Sequence, residues 1–210
     1  MRPVALTTEQ AHASGKACLE RYQVIQDVIE PLEGTNSWRS REAKYYAGRW
    51  PILSSLLPSF TLQEFRAEGD GASNPYMKSV VRQPRSLFER PVPVATVSNT
   101  YQLVQHAAVV ERCLEGIAQS GVDPSELKCE LGLTELGEWM NVRVYFPSSY
   151  DFIRNADDHL ALRLECFNSV DGSCRLVVLL GWLRFVCSNG LVIGETKTEL
   201  RDVHNRHLDI

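Results

Sequence analysis

The stretch LALRLECFNSVDGSCRLVVLLGWLRFV, residues 160–186, decides the fold. Its first half has the two-residue period of a strand buried on one face, with apolar positions at Leu160, Leu162, Leu164 and Cys166. Asp171 and Gly172 both tolerate positive φ, so this pair predicts a tight turn and a hairpin. The returning half, residues 175–186, is apolar on both faces over much of its length, which predicts a central strand covered on both sides.

The same kind of periodicity extends outward from this hairpin. Residues 105–120 place apolar side chains on one helical face and end before Gly121, so they predict a helix. Other strands are predicted at residues 44–50, 77–82, 94–97, 127–133 and 140–146. The strand at residues 77–82 is expected at a sheet edge because prolines flank it, and the last two strands are expected to form a hairpin. Other helices are predicted at residues 8–30, 51–57 and 61–65, and from Thr196 or Thr198 toward the C-terminus.

This order of elements predicts an α+β fold. We expect a mainly antiparallel sheet of two hairpins with helices packed on one face, preceded by an N-terminal helix and an irregular basic arm. The predicted divisions are residues 1–33 for the helix, 34–93 for a basic, aromatic and Pro-rich arm, and 94–210 for the α+β core. A length of 210 residues, 44% of them hydrophobic and 23% charged, is typical of one globular domain.

Composition and missing motifs exclude several classes of protein. The longest apolar run, residues 176–183, is much shorter than the about 20 residues of a bilayer span, so no membrane protein is expected. The first ten residues lack the apolar core of a signal peptide, so we expect a cytoplasmic protein whose 6 cysteines are reduced thiols. Common enzyme motifs such as the Walker loop and His-Glu-x-x-His are missing from the sequence, so an enzyme is not favoured and no cofactor is expected.

Charge is unevenly distributed along this chain, whose net charge is −4. Residues 1–33 carry a net charge of −2, residues 34–90 of +4, and residues 91–210 of −6. The overall charge attracts neither nucleic acid nor an anionic lipid surface, yet the middle segment is basic within an acidic protein.

The basic segment contains the best candidate for a binding site. Residues 38–50, WRSREAKYYAGRW, interleave 4 basic and 4 aromatic side chains. Single-stranded nucleic acid needs cations for its phosphates and flat rings for its bases. The alternative is that the aromatic side chains pack on the domain while the cations are solvated. The candidate nucleic-acid contacts are Trp38, Arg39, Arg41, Lys44, Tyr45 and Arg49.

The polar face of the sheet is a second candidate surface. If Val142 and Val144 point inward, Arg143 and Tyr145 point outward, and the same alternation puts Arg163 on that face. Arg143 and Arg163 are therefore candidate nucleic-acid contacts on a sheet platform. The alternative is an ordinary polar outer face, diluted by Glu130 and Glu165.

A metal site is a weaker candidate near the C-terminus. His204 and His207 have the spacing of two ligands on one helical face, with Glu199, Asp202 and Asp209 close in sequence. No third ligand is fixed by the spacing, so a solvated helix is the alternative and no metal is expected.

The predicted hairpin and the residues after it carry a family resemblance. FNSVDGS, residues 167–173, is followed after a strand by LRFVCSNGLVIGE, residues 183–195. With VSNTYQLVQ, residues 97–105, and SREAKYY, residues 40–46, these motifs resemble the phage- and plasmid-borne family called domain of unknown function 932 (DUF932). The resemblance implies an accessory protein of a mobile genetic element, with no settled biochemical activity. Val170 occupies a position where the family usually has His.

An architectural role is the simplest interpretation of the hairpin motif, because turn residues usually serve turns. Asp171 and Gly172 turn the chain, and the side chain of Asn168 can bond free backbone groups near the turn. The motif residues are Asn168, Asp171, Gly172, Arg184, Cys187, Asn189 and Gly190.

Two functions from different classes are consistent with these features. The first is a non-enzymatic nucleic-acid-binding accessory protein of a phage or plasmid, acting on single strands or in recombination. The second is an anti-defence protein that binds and inhibits a host restriction or CRISPR complex, because the acidic residues 91–210 could occupy a nucleic-acid groove. The sequence leaves the oligomeric state open.

Overall fold

The computed structural model describes residues 30–32, 43–66, 71–147, 152–155, 158–185 and 192–202. The helices in these ranges are α1 (Trp50–Leu53) and α2 (His106–Gln119), with 3-10 turns at Ser54–Leu56 and Pro124–Glu126. The strands are β1 (Glu30–Leu32), β2 (Lys44–Gly48), β3 (Phe60–Arg66), β4 (Ser73–Arg82), β5 (Val92–Ser98), β6 (Lys128–Leu133), β7 (Trp139–Tyr145), β8 (Phe152–Asn155), β9 (Asp158–Ser169), β10 (Leu176–Phe185) and β11 (Val192–Asp202).

These strands form two antiparallel sheets. The large sheet has the order β1-β2-β6-β7-β9-β10-β11, and β8 also pairs with β9. The small sheet has the order β3-β4-β5. The predicted α+β class with a mainly antiparallel sheet is therefore confirmed, although the large sheet has more strands than the predicted pair of hairpins. In the described ranges, no helix is long and apolar enough to cross a bilayer.

The large sheet buries one apolar face beneath α2. Val109, Val110 and Ile117 of the helix belong to the same buried cluster as the apolar side chains of the central strands. Fully burying one such side chain contributes about 1.5–3 kcal/mol, so this layer is the main hydrophobic core. The strand residues of this cluster include Leu131, Met140, Val142, Val144, Leu164 and Cys166.

The small sheet has a core of its own, formed by Phe60, Val80, Val97 and Val170. Val170 directly follows β9, so the hairpin of the large sheet supplies one side chain to the small core. Its side chain is fully buried, and its backbone N–H donates to the carbonyl of Glu138 at 2.9 Å. Val170, which stands where the resembling family usually has His, thus lies in an apolar environment. The imidazole of a histidine at this position would need a hydrogen-bond partner.

Three helix and strand predictions are wrong. Residues 61–65 lie in β3 rather than a helix, because Phe60 and Leu62 alternate inward at the two-residue period while the backbone pairs with β4. Residues 77–82 lie in the middle strand of the small sheet and not at an edge. The described part of the predicted C-terminal helix, up to Asp202, lies in strand β11, which pairs with β10 and so covers backbone groups that would otherwise form an exposed edge. Residues 203–210 lie outside the described residues.

The predicted irregular arm, residues 34–93, contains regular structure. Strand β2 joins the large sheet between β1 and β6, and the two strands β3 and β4 build most of the small sheet. The predicted helix at residues 8–30 lies outside the described residues, apart from Glu30 in β1. The predicted helix at residues 105–120 and the strands at 127–133, 140–146 and 175–186 are confirmed with small shifts of their ends.

Replacement of Gly132 by Ala tests the close packing of β2 on β6. A Cβ at Gly132 would lie 2.5 Å from a ring carbon of the buried Tyr45. Overpacking of this kind typically costs about 1–3 kcal/mol, so we expect Gly132→Ala to lower the free energy of unfolding by that amount in urea denaturation.

The matched control is Gly116→Ala in α2, where an added Cβ meets nothing within 4 Å. Because Ala is a better helix former than Gly, the free energy of unfolding of this variant should rise by about 0.5–1 kcal/mol. Equal changes in the two variants would contradict the packing described for Tyr45.

Candidate functional site

The second face of the large sheet carries a row of charged side chains. The register of β6, β7 and β9 places Glu130 opposite Arg143, and Arg143 opposite Glu165. Directly opposite residues in antiparallel strands have Cβ atoms about 4.5–5.5 Å apart, so the charges alternate in sign at contact distance. Arg163 lies opposite Tyr145 in the adjacent row. We call Glu130, Arg143, Arg163 and Glu165 the charge cluster.

Glu165 is the centre of the charge cluster. Its carboxylate accepts from Arg143 Nε at 3.0 Å, from Arg163 Nη2 at 2.7 Å and from Asn141 Nδ2 at 3.1 Å. Arg143 Nη1 also donates to Glu130 at 3.2 Å, so one guanidinium bridges the two carboxylates. Such charge-assisted bonds are stronger than neutral ones, and they fix the relative positions of the three strands.

Two tyrosine rings cover the arginines of the charge cluster. The guanidinium carbon of Arg143 lies 5.4 Å from the centre of the Tyr45 ring, and that of Arg163 lies 5.9 Å from the Tyr145 ring. Both distances are within the range of a cation–π attraction. The Tyr145 hydroxyl also donates to the Glu130 carboxylate at 3.0 Å. Aromatic side chains therefore replace water around both cations.

The charge cluster is buried and electrically balanced. All four side chains are less than a tenth exposed, and two guanidiniums face two carboxylates. Burial tends to raise the pKa of the Glu165 carboxyl, but Arg163, Arg143 and Asn141 outweigh it and the pKa falls below its ordinary value of 4.5. The carboxylate is thus held ionised, which suits a structural ion pair and not a proton donor.

The prediction that Arg143 and Arg163 lie on a solvent-exposed sheet face is wrong. The two-residue alternation places them on the expected face, but that face is buried: Arg143 is 5% exposed and Arg163 is 0% exposed. Their guanidiniums bind carboxylates of the same sheet. A phosphate would have to displace Glu165 from both of them, so the charge cluster is not an open anion-binding surface.

The predicted basic-aromatic site is only partly within the described residues. Trp38, Arg39 and Arg41 lie outside them. Lys44 is exposed on β2, whereas Tyr45 is buried against Gly132. The guanidinium of Arg49 donates to the carbonyl of Ser125, near the start of β6.

The other aromatic side chains of that segment pack inward. Trp50 is buried, and Tyr46 packs against the main hydrophobic core. The described aromatic side chains of residues 38–50 therefore pack on the domain, which agrees with the alternative to a nucleic-acid-binding site.

The hairpin motif meets the start of α2 in a second buried polar group. The side-chain amide of Asn168 donates to the carbonyl of Val104 at 3.1 Å, which fixes the orientation of its NH₂ group. The same NH₂ lies 2.9 Å from His106 Nδ1, so this nitrogen is the acceptor. His106 Nε2 lies 2.8 Å from the carbonyl of Gly137 and must carry the proton. His106 is therefore a neutral imidazole that joins α2 to the end of β9 and to the turn between β6 and β7.

The turn of the motif is built as its residue types predict. Gly172 has φ +77°, and the Asp171 carboxylate accepts from the backbone N–H of Ser173 at 2.9 Å. The Ser169 hydroxyl bonds both backbone groups of Cys174, at 3.0 and 3.1 Å. These contacts support the architectural interpretation of the motif.

Several predicted residues have no described side-chain environment. Arg184 lies in β10, where its backbone pairs with Ile193 of β11. The remaining residues lie outside the described ranges: Cys187, Asn189, Gly190, His204 and His207. Among the described residues, no three His, Cys, Asp or Glu side chains are grouped as metal ligands would be.

Sequence reasoning missed the loop between β4 and β5, residues 83–91, which we call the β4–β5 loop. Leu87 and Phe88 are the most exposed large apolar side chains in the described part of the chain. The signal in the sequence is an adjacent Leu-Phe pair between Pro84 and Pro91, with an arginine on each side. Exposed large apolar side chains flanked by polar residues are typical of interaction surfaces.

Comparison with known proteins identifies the family. The family described as "domain of unknown function (DUF932)" matches residues 93–209, more than half of the chain. The protein belongs to this family, and the resemblance found in the hairpin motif is confirmed. Neither a curated protein nor a solved structure matches the chain.

Replacement of Glu165 by Gln tests the charge cluster. It leaves two buried guanidiniums facing an uncharged amide, and breaking a buried pair typically costs about 3–5 kcal/mol of stability. We expect that loss at pH 7 in urea denaturation. Because the folded pKa of Glu165 is depressed, its contribution is present above the ordinary pKa of 4.5 and is lost as the pH falls through the folded pKa. The difference in free energy of unfolding between the variant and the wild type should therefore become smaller at acidic pH.

The control for this prediction is Glu115→Gln, which removes the exposed pair between Arg112 and Glu115, 3.0 Å apart. Exposed pairs contribute about 0–1 kcal/mol, so this variant should stay close to the wild type. A Glu165→Gln variant as stable as the control at pH 7 would show that the cluster is solvated.

Replacement of Asn168 by Ala tests the junction between the hairpin and α2. It leaves the Val104 carbonyl and His106 Nδ1 buried without their donor, at a cost of about 1–3 kcal/mol. The matched control is Asn99→Ala, since the exposed Asn99 amide also donates to a backbone carbonyl, that of Pro75, at 2.7 Å. We expect thermal or urea unfolding to show the larger loss for Asn168→Ala. A larger loss for Asn99→Ala would refute the junction.

Proposed function

We propose that the protein is a non-enzymatic nucleic-acid-binding protein that holds single strands on its small sheet and the β4–β5 loop. The observation that carries this proposal is the combination of excess positive charge and exposed aromatic rings on that sheet. Membership of the DUF932 family and the resemblance to phage- and plasmid-borne proteins support an accessory role in a mobile genetic element.

The charge of the described chain is separated between its two sheets. The described residues of the small sheet and its loops, 60–66 and 71–98, contain five basic and two acidic residues, a net charge of +3. Glu68 and Asp70, in the sequence between β3 and β4, bring residues 60–98 as a whole to a net charge of +1. The other described residues contain eleven basic and fourteen acidic residues, a net charge of −3. A basic surface on an otherwise acidic protein directs a polyanion to one side of the molecule.

Most cations of the small sheet are on its surface. Arg66, Arg85 and Arg90 are exposed, and Lys78 is half-buried. Arg66 forms an exposed ion pair with Glu64, and such pairs are weak enough to be exchanged for a phosphate. This contrasts with the charge cluster, where both guanidiniums are buried with carboxylates.

Aromatic rings accompany these cations. Phe65, Tyr76 and Phe88 are 47%, 76% and 99% exposed. A base stacked on an exposed ring contributes about 1–3 kcal/mol, largely independent of its identity. The chemistry predicted for residues 38–50 therefore recurs on the small sheet, on side chains that solvent can reach. A shallow groove of about 570 Å³ crosses the outer face of this sheet beside Phe65 and Arg66.

Charge reversal of two cations on the small sheet tests the proposal. The Lys78→Glu/Arg90→Glu variant should bind a fluorescent single-stranded oligonucleotide at least tenfold more weakly at low salt, measured by anisotropy. Each phosphate contact contributes about 0.7 to the slope of log K against log salt for single strands, so the loss of two should reduce the slope by about 1.4.

The matched control is Arg112→Glu/Arg175→Glu, which makes the same change in net charge at exposed residues outside the small sheet. It should bind almost as tightly as the wild type. Equal weakening of both variants would place the binding elsewhere. No binding by the wild type at low salt, together with a nuclease-resistant protein partner from host lysate, would favour the anti-defence hypothesis instead.

A further inference from the structure

Leu87 and Phe88 are exposed to an extent that no other large apolar side chain of the described residues approaches. Their exposed fractions are 100% and 99%, and the next highest is 76% at Tyr76. Single exposed apolar residues are common on protein surfaces and need no explanation. Two adjacent ones at the end of a loop, without any packing against the domain, indicate a surface that contacts something else.

The β4–β5 loop is closed in a way that holds both side chains outward. The backbone N–H of Glu89 donates to the carbonyl of Ser86 at 3.2 Å, so Leu87 and Phe88 are the two central residues of a turn. The Glu89 carboxylate in turn accepts from the backbone N–H of Arg85 at 2.9 Å.

The base of the loop is fixed to the domain. The backbone N–H of Gln83 donates to the carbonyl of Ser59 at 2.8 Å, and its side chain donates to the Thr61 hydroxyl at 2.8 Å. The guanidinium of Arg85 donates to the carbonyl of Leu56. A loop with these anchors presents its apolar turn in a defined position, so binding costs little conformational entropy.

Cations surround the apolar turn. Residues 82–90 contain three arginines and one glutamate, a net charge of +2. Arg90 is exposed, and Arg82 lies 3.8 Å from Glu89. Proteins that unstack nucleic acid combine these two features, with apolar side chains inserted between bases and basic side chains on the flanking phosphates.

We propose that the β4–β5 loop inserts Leu87 and Phe88 between neighbouring bases of a bound nucleic acid and separates their stacking. The Phe88 ring stacks on one base, Leu87 fills the space beside it, and Arg90 contacts a flanking phosphate. This inference rests on the proposed function and adds to it the mode of base recognition.

Bases are a better match for this turn than a lipid bilayer. The side chains of Leu87 and Phe88 together carry fewer apolar carbons than one myristoyl chain, which by itself gives only marginal membrane binding. A stacked base requires only one flat ring and adds its contribution to phosphate contacts already made by the small sheet.

The experiment uses single-stranded and duplex oligonucleotides with 2-aminopurine at an internal position, because its fluorescence rises when it is unstacked. The full-length wild type should increase that fluorescence several-fold on binding. The Leu87→Ser/Phe88→Ser variant should lose at least half of the increase and bind about 5- to 150-fold more weakly, while its salt slope stays unchanged. Leu136→Ser, at another exposed apolar residue in a turn, is the matched control and should behave as the wild type.

The outcomes separate this inference from the proposed function. If the wild type binds no oligonucleotide at low salt, both fail. If it binds with the expected salt slope but leaves the 2-aminopurine signal unchanged, or if the double serine variant gives the same signal, only the insertion is wrong. If the variant loses binding to anionic vesicles but keeps full oligonucleotide binding, the loop contacts lipid and the insertion is again wrong. Unfolding in urea should be unchanged in the variant, since both side chains are exposed.

Discussion

Pairing of opposite charges across β6, β7 and β9 is the constraint on which the large sheet depends. One face of this sheet is apolar and lies under α2, while the other buries Glu130, Arg143, Arg163 and Glu165. Charged groups can be buried only when they are paired and hydrogen-bonded. A shift of one residue in the pairing of β7 would move Arg143 to the apolar face and leave its carboxylates unpaired. The charge cluster therefore specifies the register of the central strands, as well as contributing to their stability.

This constraint also limits where the proposed nucleic-acid ligand could contact the protein. Arginines held by carboxylates and covered by tyrosine rings are unavailable to a ligand, so the large sheet offers no cationic platform on its central strands. The small sheet differs because most of its cations lie on the surface and because its described core consists of a few apolar side chains. The family motif joins the two parts: Val170 enters the small core, and Asn168 bonds the start of α2. The described contacts of the family hairpin are thus structural, whereas the binding surface that we propose lies on the neighbouring small sheet.

The local periodicity of apolar residues predicts many of the strands and the long helix. It does not predict which distant strands pair with one another. The strands around Val142 and Leu164 and the helix around Val110 are predictable because each has a regular apolar pattern. Strand β11 is not predictable in this way, because its polar sequence becomes a strand by pairing with β10. The alternation correctly placed Arg143 and Arg163 on the polar face of the large sheet. Their ion pairs, however, involve carboxylates on β6 and β9, which a local pattern does not reveal. No periodic pattern in the sequence predicts the exposure of Leu87 and Phe88, which results from the turn closed between Ser86 and Glu89.

Arginine modification with phenylglyoxal, followed by mass spectrometry of the peptides, tests the central claim most directly. In the native protein, Arg90 and Arg175 should react readily, whereas Arg143 and Arg163 should remain unmodified until urea unfolds the chain. Bound oligonucleotide should then protect Arg90 and leave Arg175 reactive. Modification of Arg143 or Arg163 in the native protein at the rate of Arg90 would contradict the account, because it would show that the charge cluster is open to solvent.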